Sequence, residues 1–254
     1  MYISFIIAKN FFRDLVRRKI LLMVVFFAFV FMSSALLLET LSLNQSDKML
    51  LDLGIAGISF FSVIATLILA NEILTEEVEN NTIQFLLSKP IARWQILLGK
   101  FGGLASTLFV IILGMGIFWL SLMFLKTSEI PANAPFALLF LIFELLILAS
   151  ATILFSTFMS PMISLLCGVL FYLTGHLNHT VYELGQKNPS ILVQKITSGF
   201  HFIIPDLNQL NLKNHLIYSL PLEKGEILAI SFWAILWITL LLILSTIIFR
   251  KKEF

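Results

Sequence analysis

The sequence predicts an all-α membrane protein with six transmembrane helices, and both its composition and the arrangement of its apolar residues support this fold class. Hydrophobic residues make up 59% of the chain and charged residues only 13%, whereas a soluble domain carries about 25% charged residues. The mean hydropathy is +0.97. So few polar side chains could not cover the surface of a soluble domain, and the sequence therefore excludes that class.

Six apolar runs account for the predicted spans. Each is long enough, or nearly so, to supply the roughly 20 residues that a helix needs to cross the hydrocarbon layer. None alternates between polar and apolar residues as a barrel strand would. The fifth run is the shortest and follows Pro161, which suits the first turn of a helix. In chain order the runs are Ile20–Leu38, Leu53–Ala70, Gly103–Leu125, Phe136–Phe158, Met162–Leu177 and Ile227–Phe249.

We interpret the first run as a retained span and not as a cleaved signal peptide. Ser33, Ser34 and Ala35 weakly resemble a cleavage site, but the segment before the run is too long and too amphipathic for the start of a signal peptide. Because the sequence shows no internal repeat or soluble domain, residues 1–254 are predicted to form a single membrane domain.

Lysine and arginine are concentrated on one side of the predicted spans. Residues 1–19 hold five of them, the loop between the second and third runs holds Lys89, Arg93 and Lys100, and the C-terminus holds three more. Because cytoplasmic loops are enriched in these residues, we expect a cytoplasmic (inner) membrane protein with both termini in the cytoplasm. Six crossings satisfy that parity. The net charge of +2 is too small to indicate a nucleic-acid partner.

Residues 1–19 are predicted to form an amphipathic helix. Apolar and basic residues each recur at four-residue spacing, which suits a helix lying in the membrane interface with its cations facing anionic lipid headgroups. A plain cationic anchor for the first span would explain the same pattern. The apolar stripe is Ile3, Ile7, Phe11 and Leu15, and the basic stripe is Lys9, Arg13 and Arg17.

The loop of residues 71–100 is the most informative segment outside the spans. It divides at Pro90, and its first part opens with glutamates, which favour the positive end of a helix dipole. We expect a short helix just outside the bilayer, able to transmit a push from a cytosolic partner, although a solvated connector with acidic helix caps would also explain the sequence. The glutamates are Glu72, Glu76, Glu77 and Glu79, and four residues that can share one face are Val78, Thr82, Phe85 and Leu86.

The order of features in this loop resembles the region after the second span of ABC-2-type permeases, the transmembrane subunits of a large class of ABC exporters. Their pattern runs from an acidic start through a threonine or small residue, a leucine pair, a proline and a basic residue to Gly-Lys. Here its parts are Glu76, Glu77 and Glu79, then Thr82-Ile83, Leu86-Leu87, Ser88-Lys89-Pro90-Ile91, Arg93 and Gly99-Lys100. The six-span layout also fits, and the chain looks loosely like permeases grouped with multicopper-enzyme maturation and gliding motility.

This resemblance implies a permease that couples ATP hydrolysis by a separate ATPase subunit to the export of a substrate. Residues Glu76–Leu87 would form the coupling helix held by that ATPase, residues 1–19 would form the flanking elbow helix, and two permease copies would pair in the membrane. The chain lacks the glycine-rich phosphate loop that ends in Gly-Lys-Ser or Gly-Lys-Thr. ATP and Mg²⁺ are therefore expected on the partner, with no catalytic residue and no cofactor here. Alternatively, the subunit would relay ATP-driven motion to an extracytoplasmic partner without moving a cargo.

Residues 178–226 are predicted to lie on the outer side of the membrane. Within them, Ile191–Ile204 is mostly apolar but too short to span, so it suits a re-entrant or interfacial helix that ends at Pro205. The resemblance implies short outer helices that dip partly into the membrane. This segment would cap the pathway or bind an extracytoplasmic protein.

All four histidines lie in or beside this outer segment. His176, His179 and Glu183 can share one helical face, and such ligands occur in zinc and copper sites. A metal-dependent intramembrane enzyme is therefore a third hypothesis. Polar interface residues are the simpler interpretation, because no protease signature accompanies the histidines, and we predict no metal site. The other two histidines are His201 and His215.

Glu144 is the one acid deep inside a predicted span. Intramembrane carboxylates cost a few kcal/mol and face a cavity or a partner, so Glu144 is a candidate to line the translocation pathway. The alternative is a protonated or hydrogen-bonded acid that packs against another helix. Small residues in the spans are predicted to mark close helix contacts; the pairs are Ser164 with Gly168, Gly114 with Gly116, and Gly99 with Gly103.

Overall fold

The computed structural model describes residues 2–17, 19–39, 46–79, 93–127, 133–188, 190–211 and 224–251, and helices make up nearly all of these ranges. No β-strand occurs in these ranges, so the predicted all-α class is confirmed for them. The helices are α1 Tyr2–Val16, α2 Lys19–Glu39, α3 Ser46–Glu79, α4 Arg93–Thr127, α5 Ala134–Phe158, α6 Pro161–Gln186, α7 Ile191–Ile203 and α8 Lys224–Lys251, with a 3₁₀ turn at Leu207–Leu210 before α8.

Five stretches of the described helices are long and apolar enough to cross a membrane, and they correspond to the second to sixth predicted runs. The fifth run proves longer than its apolar part suggested, because its helix continues to Gln186. The first run forms the continuous helix α2, and its crossing of the membrane stays a prediction. The five stretches are Leu51–Ile73, Trp94–Lys126, Ala134–Phe158, Pro161–Gln186 and Gly225–Arg250.

Helix α5 occupies the centre of the bundle, with α3, α4, α6 and α8 packed against it. Four consecutive residues, Ala149–Thr152, are fully buried, so neighbours enclose the helix on every side at this level. Their small side chains allow those neighbours to approach closely. The hydroxyls of Ser150 and Thr152 donate to carbonyl oxygens one turn earlier in the same helix, which satisfies them away from water.

Small residues mark helix contacts at most of the predicted positions. The Ser164 hydroxyl donates to the Thr152 carbonyl at 3.3 Å, and a Cβ placed on Gly168 would lie 2.8 Å from the Thr152 hydroxyl. Gly116 faces a leucine of α5 at a similar distance. Gly114 has nothing within 4 Å, so the prediction was wrong for that residue, which lies on an exposed face of α4.

Helix α7 folds back on the C-terminal part of α6, and with 13 residues it is too short to span a membrane, as the sequence predicted. Gly185 of α6 provides the space for Thr197 of α7. The buried Asn178 amide donates to the Ile204 carbonyl at 2.6 Å and so binds the end of α7 to α6. The carboxylate of Asp206 then accepts from the Asn208 backbone N–H at 3.2 Å and caps the 3₁₀ turn.

Candidate functional site

A cavity of about 430 Å³ lies between α3, α5 and α6, with the 3₁₀ turn and Asn211 at its edge. We call it the α5–α6 cavity. Its walls are mostly apolar; besides Asn211 at the edge, its polar side chains come from one residue of α3, one of α5 and two of α6. Those four residues are Ser59, Glu144, Tyr172 and His176.

The short connection between α5 and α6 places the first pair of polar groups. Glu144 lies 15 residues before Met159, and His176 lies 16 residues after Ser160, so the antiparallel helices bring both to the same level, about 23 Å from the connection at 1.5 Å per residue. The imidazole Nε2 is 2.9 Å from a Glu144 carboxylate oxygen. Glu144 is only 3% exposed, and this hydrogen bond offsets part of the cost of its burial.

Tyr172 extends this contact to a third helix. It precedes His176 by one helical turn, and the two ring centroids are 4.6 Å apart in an edge-to-face arrangement. The phenol hydroxyl lies near both Glu144 and Ser59. A chain of polar side chains therefore links α3, α5 and α6 inside the candidate spans.

A second group of polar residues lies nearer the C-terminal end of α6. His179 is half exposed, 3.3 Å from Glu183 and 3.7 Å from the buried Asp206. His201 of α7 belongs to the same group. Its ring nitrogen Nδ1 lies 3.2 Å from the Asn178 amide oxygen, and its ring stacks on that of Tyr182 with the centroids 4.5 Å apart.

His176, His179 and Glu183, predicted to share one helical face, do not form one cluster in the structure. His176 turns to Glu144, whereas His179 turns to Glu183 and to Asp206. Across the described ranges no three His, Cys, Asp or Glu side chains converge as metal ligands would. His215 lies outside the described residues.

The opposite end of α3 and the start of α4 hold a second arrangement of interest, which we call the α1 junction. A Cβ placed on Gly99 would lie 2.8 Å from the Ser4 carbonyl oxygen, and one on Gly103 would lie 2.7 Å from the Ala8 carbonyl oxygen. Only glycine therefore allows α1 to lie this close along α4. The predicted small-residue pair is a helix contact, and its partner is α1.

Lys100 lies between these glycines and is buried, with 7% of its surface exposed. Its ammonium donates to the Ile73 carbonyl of α3 at 2.5 Å and lies 5.3 Å from the centroid of the Phe11 ring of α1. One cation thus contacts α1 and α3 from its position on α4. Buried lysines need such acceptors, because removing an ammonium from water is costly.

The described part of the apolar stripe of α1 is covered by protein, whereas the side chain of Ile3 lies outside the described residues. Ile7 and Phe11 lie against the α4 glycines, and Leu15 is fully buried, because the glycines open a groove that the helix fills. The basic stripe, Lys9, Arg13 and Arg17, is exposed.

The predicted coupling residues fall at the limit of the described chain. Glu76, Glu77, Val78 and Glu79 form the last turn of α3, whose backbone continues helically beyond the candidate span that ends at Ile73. Their side chains, and the whole of Thr82, Phe85 and Leu86, lie outside the described residues.

Sequence reasoning found Glu144 and the histidines but missed several of their partners. Tyr172 could have been found from its i, i+4 spacing to His176 on one span. Asp206 and Ser59 carried no such local signal, because packing alone brings Asp206 to His179 and Ser59 to Tyr172.

One comparison with known proteins identifies relatives of the whole chain. The family described as "ABC-2 family transporter protein" matches residues 5–254. No curated protein matches the chain significantly.

Proposed function

Because the chain belongs to the ABC-2 transporter family, we propose that it is the permease subunit of an ABC transporter and that a separate ATPase subunit drives export of a substrate through it. The family match across residues 5–254 carries this proposal. The absence of a phosphate-binding loop from the sequence supports the separation of roles, since ATP and Mg²⁺ need such a loop.

The ATPase contact is best placed at the end of α3 and in the residues that follow. Helix α3 continues for six residues past Ile73, to Glu79, and the predicted coupling segment Glu76–Leu87 begins in this extension. Lys100 joins the base of the extension to α1 and α4. A force applied to the coupling segment would therefore act on three helices together.

The α5–α6 cavity is the best candidate for part of the export pathway. Glu144 is a buried carboxylate within a candidate span and lines an internal space, which is where functional intramembrane acids are found. With the N-terminus in the cytoplasm, as the lysine and arginine distribution predicts, the cavity lies toward the outer side. A second copy of the permease would complete the pathway.

Co-purification with an ATPase tests this proposal. We expect a P-loop ATPase encoded in the neighbouring reading frame to purify with the chain, and replacement of Glu77 and Phe85 by alanine to abolish the coupling of its hydrolysis to the permease. The matched control replaces Glu183 and Phe202, an acid and a phenylalanine of the outer segment. Assembly and coupling that survive disruption of Glu76–Leu87 would contradict this assignment.

The relay of motion to an extracytoplasmic partner is the second candidate function, and the outer face of α7 favours it. Leu192 is 72% exposed and Phe202 is 85% exposed, and Ile191, Ile196 and Ile203 are exposed beside them. Such an apolar surface requires lipid or protein to cover it.

Serine at Leu192, Ile196 and Phe202 tests the relay function. If the protein is a relay, these substitutions release the extracytoplasmic partner while the ATPase stays bound. Vesicles that contain the wild-type complex should also accumulate no cargo. Partner binding that persists in the variant would count against a relay.

A further inference from the structure

The lining of the α5–α6 cavity restricts the charge of what it can hold. Glu144 is the one acidic side chain among the lining residues, and the described lining includes no lysine or arginine. The carboxylate shares a hydrogen bond with His176 at 2.9 Å. The cavity thus has a carboxylate in its wall, hydrogen-bonded to an imidazole.

The walls of the cavity suit an apolar body attached to a charged group. Ile55 and Leu141 face it from α3 and α5, and the Phe60 ring, 62% exposed, stands at its edge. Aromatic rings attract cations to their faces, and Phe60 and Tyr172 contribute two such rings to the lining. A volume of about 430 Å³ falls in the ordinary range for small-molecule sites, roughly 300–1,000 Å³.

A carboxylate in such a site distinguishes strongly between cations and anions. A cation that leaves water for a membrane interior regains its lost solvation only from an opposite charge or from oriented dipoles, and Glu144 supplies that charge. An anion of the same shape would approach the carboxylate in a medium that screens repulsion poorly.

We propose that the α5–α6 cavity binds an amphipathic organic cation, with its positive group beside Glu144 and its apolar body against Ile55, Phe60 and Leu141. Such a cation competes with His176 for the carboxylate. The binding itself does not depend on the proposed permease function. The inference rests on that function only where it identifies the bound cation as the exported substrate.

Binding of two hydrophobic ions of equal shape and opposite charge tests the proposal. Tetraphenylphosphonium and tetraphenylborate are each titrated against the purified full-length chain in neutral detergent, with protein-free micelles as the blank. We expect the wild type to bind the phosphonium saturably, and E144Q to bind it at least tenfold more weakly. Tetraphenylborate should show no such loss. The matched control E183Q removes an acid from the same helix as His176, at an exposed site, and should bind the phosphonium as the wild type does.

Two further variants keep the test decisive if E144Q does not fold. A56F fills the cavity while retaining the carboxylate, and should also weaken phosphonium binding at least tenfold. H176Q removes the competitor for Glu144 and should bind the phosphonium at least as tightly as the wild type. Equal binding of both ions, or phosphonium binding unaffected by E144Q and A56F, would overturn the proposal. So would a tenfold loss in H176Q.

These measurements use neither nucleotide nor ATPase, so their outcome is separate from that of the permease proposal. A chain that fails to bind the phosphonium while its ATPase remains coupled would refute only the substrate class. Charge-selective binding without any ATPase partner would leave the cation site intact and refute the permease assignment.

Discussion

The α1 junction and the α5–α6 cavity are both points where three helices meet, but their packing differs. At the junction, glycines allow backbone to lie on backbone, and the buried Lys100 donates to the Ile73 carbonyl. At the cavity, four polar side chains hold three helices together around a space of about 430 Å³. The comparison teaches that this bundle is closely packed where a force is expected to enter and open where a ligand is expected to bind.

Gly103→Leu should have the largest effect, because it inserts a side chain where a Cβ alone would meet the Ala8 carbonyl at 2.7 Å. We expect a loss of about 3 kcal/mol in the free energy of unfolding, measured in mixed micelles, with α1 becoming sensitive to protease. Gly114→Leu on the same helix is the control, since Gly114 has nothing within 4 Å. Equal losses in the two variants would show that the junction is not closely packed.

Lys100→Met should follow, since methionine keeps an apolar stem near Phe11 and removes the donor to the Ile73 carbonyl. Hydrogen bonds from charged groups contribute about 2 kcal/mol, and we expect a loss of that size in the same unfolding assay. Lys9→Met, at an exposed position of α1, should leave the unfolding free energy nearly unchanged. If both lysines tolerated methionine equally, Lys100 would not join the three helices.

Tyr172→Phe should have a smaller effect at the cavity. The ring stays against His176, but the hydroxyl that reaches Ser59 and Glu144 is lost. We expect a loss of about 1 kcal/mol. Tyr182→Phe is the matched control, because Tyr182 lies on the same helix and stacks on His201 through its ring. A larger loss for Tyr182→Phe would place the stabilising polar chain outside the cavity.

His179→Gln should have the smallest effect of all. Its contacts with Glu183 and with the buried Asp206 are long, and the imidazole itself is half exposed, so we expect a loss of about 0.5 kcal/mol or less. His176→Gln should lose more, because it removes the imidazole bonded to the buried Glu144. A larger loss of thermal stability for His179→Gln than for His176→Gln would mean that the contacts of His179, and not those in the cavity, stabilise α6.

Much of the fold follows from local sequence because the lipid environment leaves few alternatives to a helix. All six apolar runs lie within helices, five of which are candidate spans, and the spacing of Ile7, Phe11 and Leu15 indicated the covered face of α1. The partner of that face was not predictable. Amphipathicity indicates that a stripe is covered, but only packing decides whether lipid or the Gly99–Gly103 groove covers it.

The candidate site was predictable in part for the same reason. Glu144 stands out because an acid inside an apolar run is costly. His176 was noticed for its spacing to His179, yet its partner lies across the α5–α6 hairpin, 32 residues away. From sequence alone, Lys100 is only one of the cations of the predicted cytoplasmic loop. No local pattern reveals that its ammonium donates to a carbonyl of α3.

The helix α3 connects the two regions without interruption. Between Ser59 and Glu79 it contains no glycine or proline, the usual sites of a sharp bend. Ser59 lies about 21 Å from Ile73 along the axis, and Glu79 lies about 9 Å beyond Ile73 on the other side. If the Lys100 contact acts as a fulcrum, α3 is a lever with arms in a ratio of about two to one. A displacement of 1 Å at its tip would then move the cavity wall by about 2 Å.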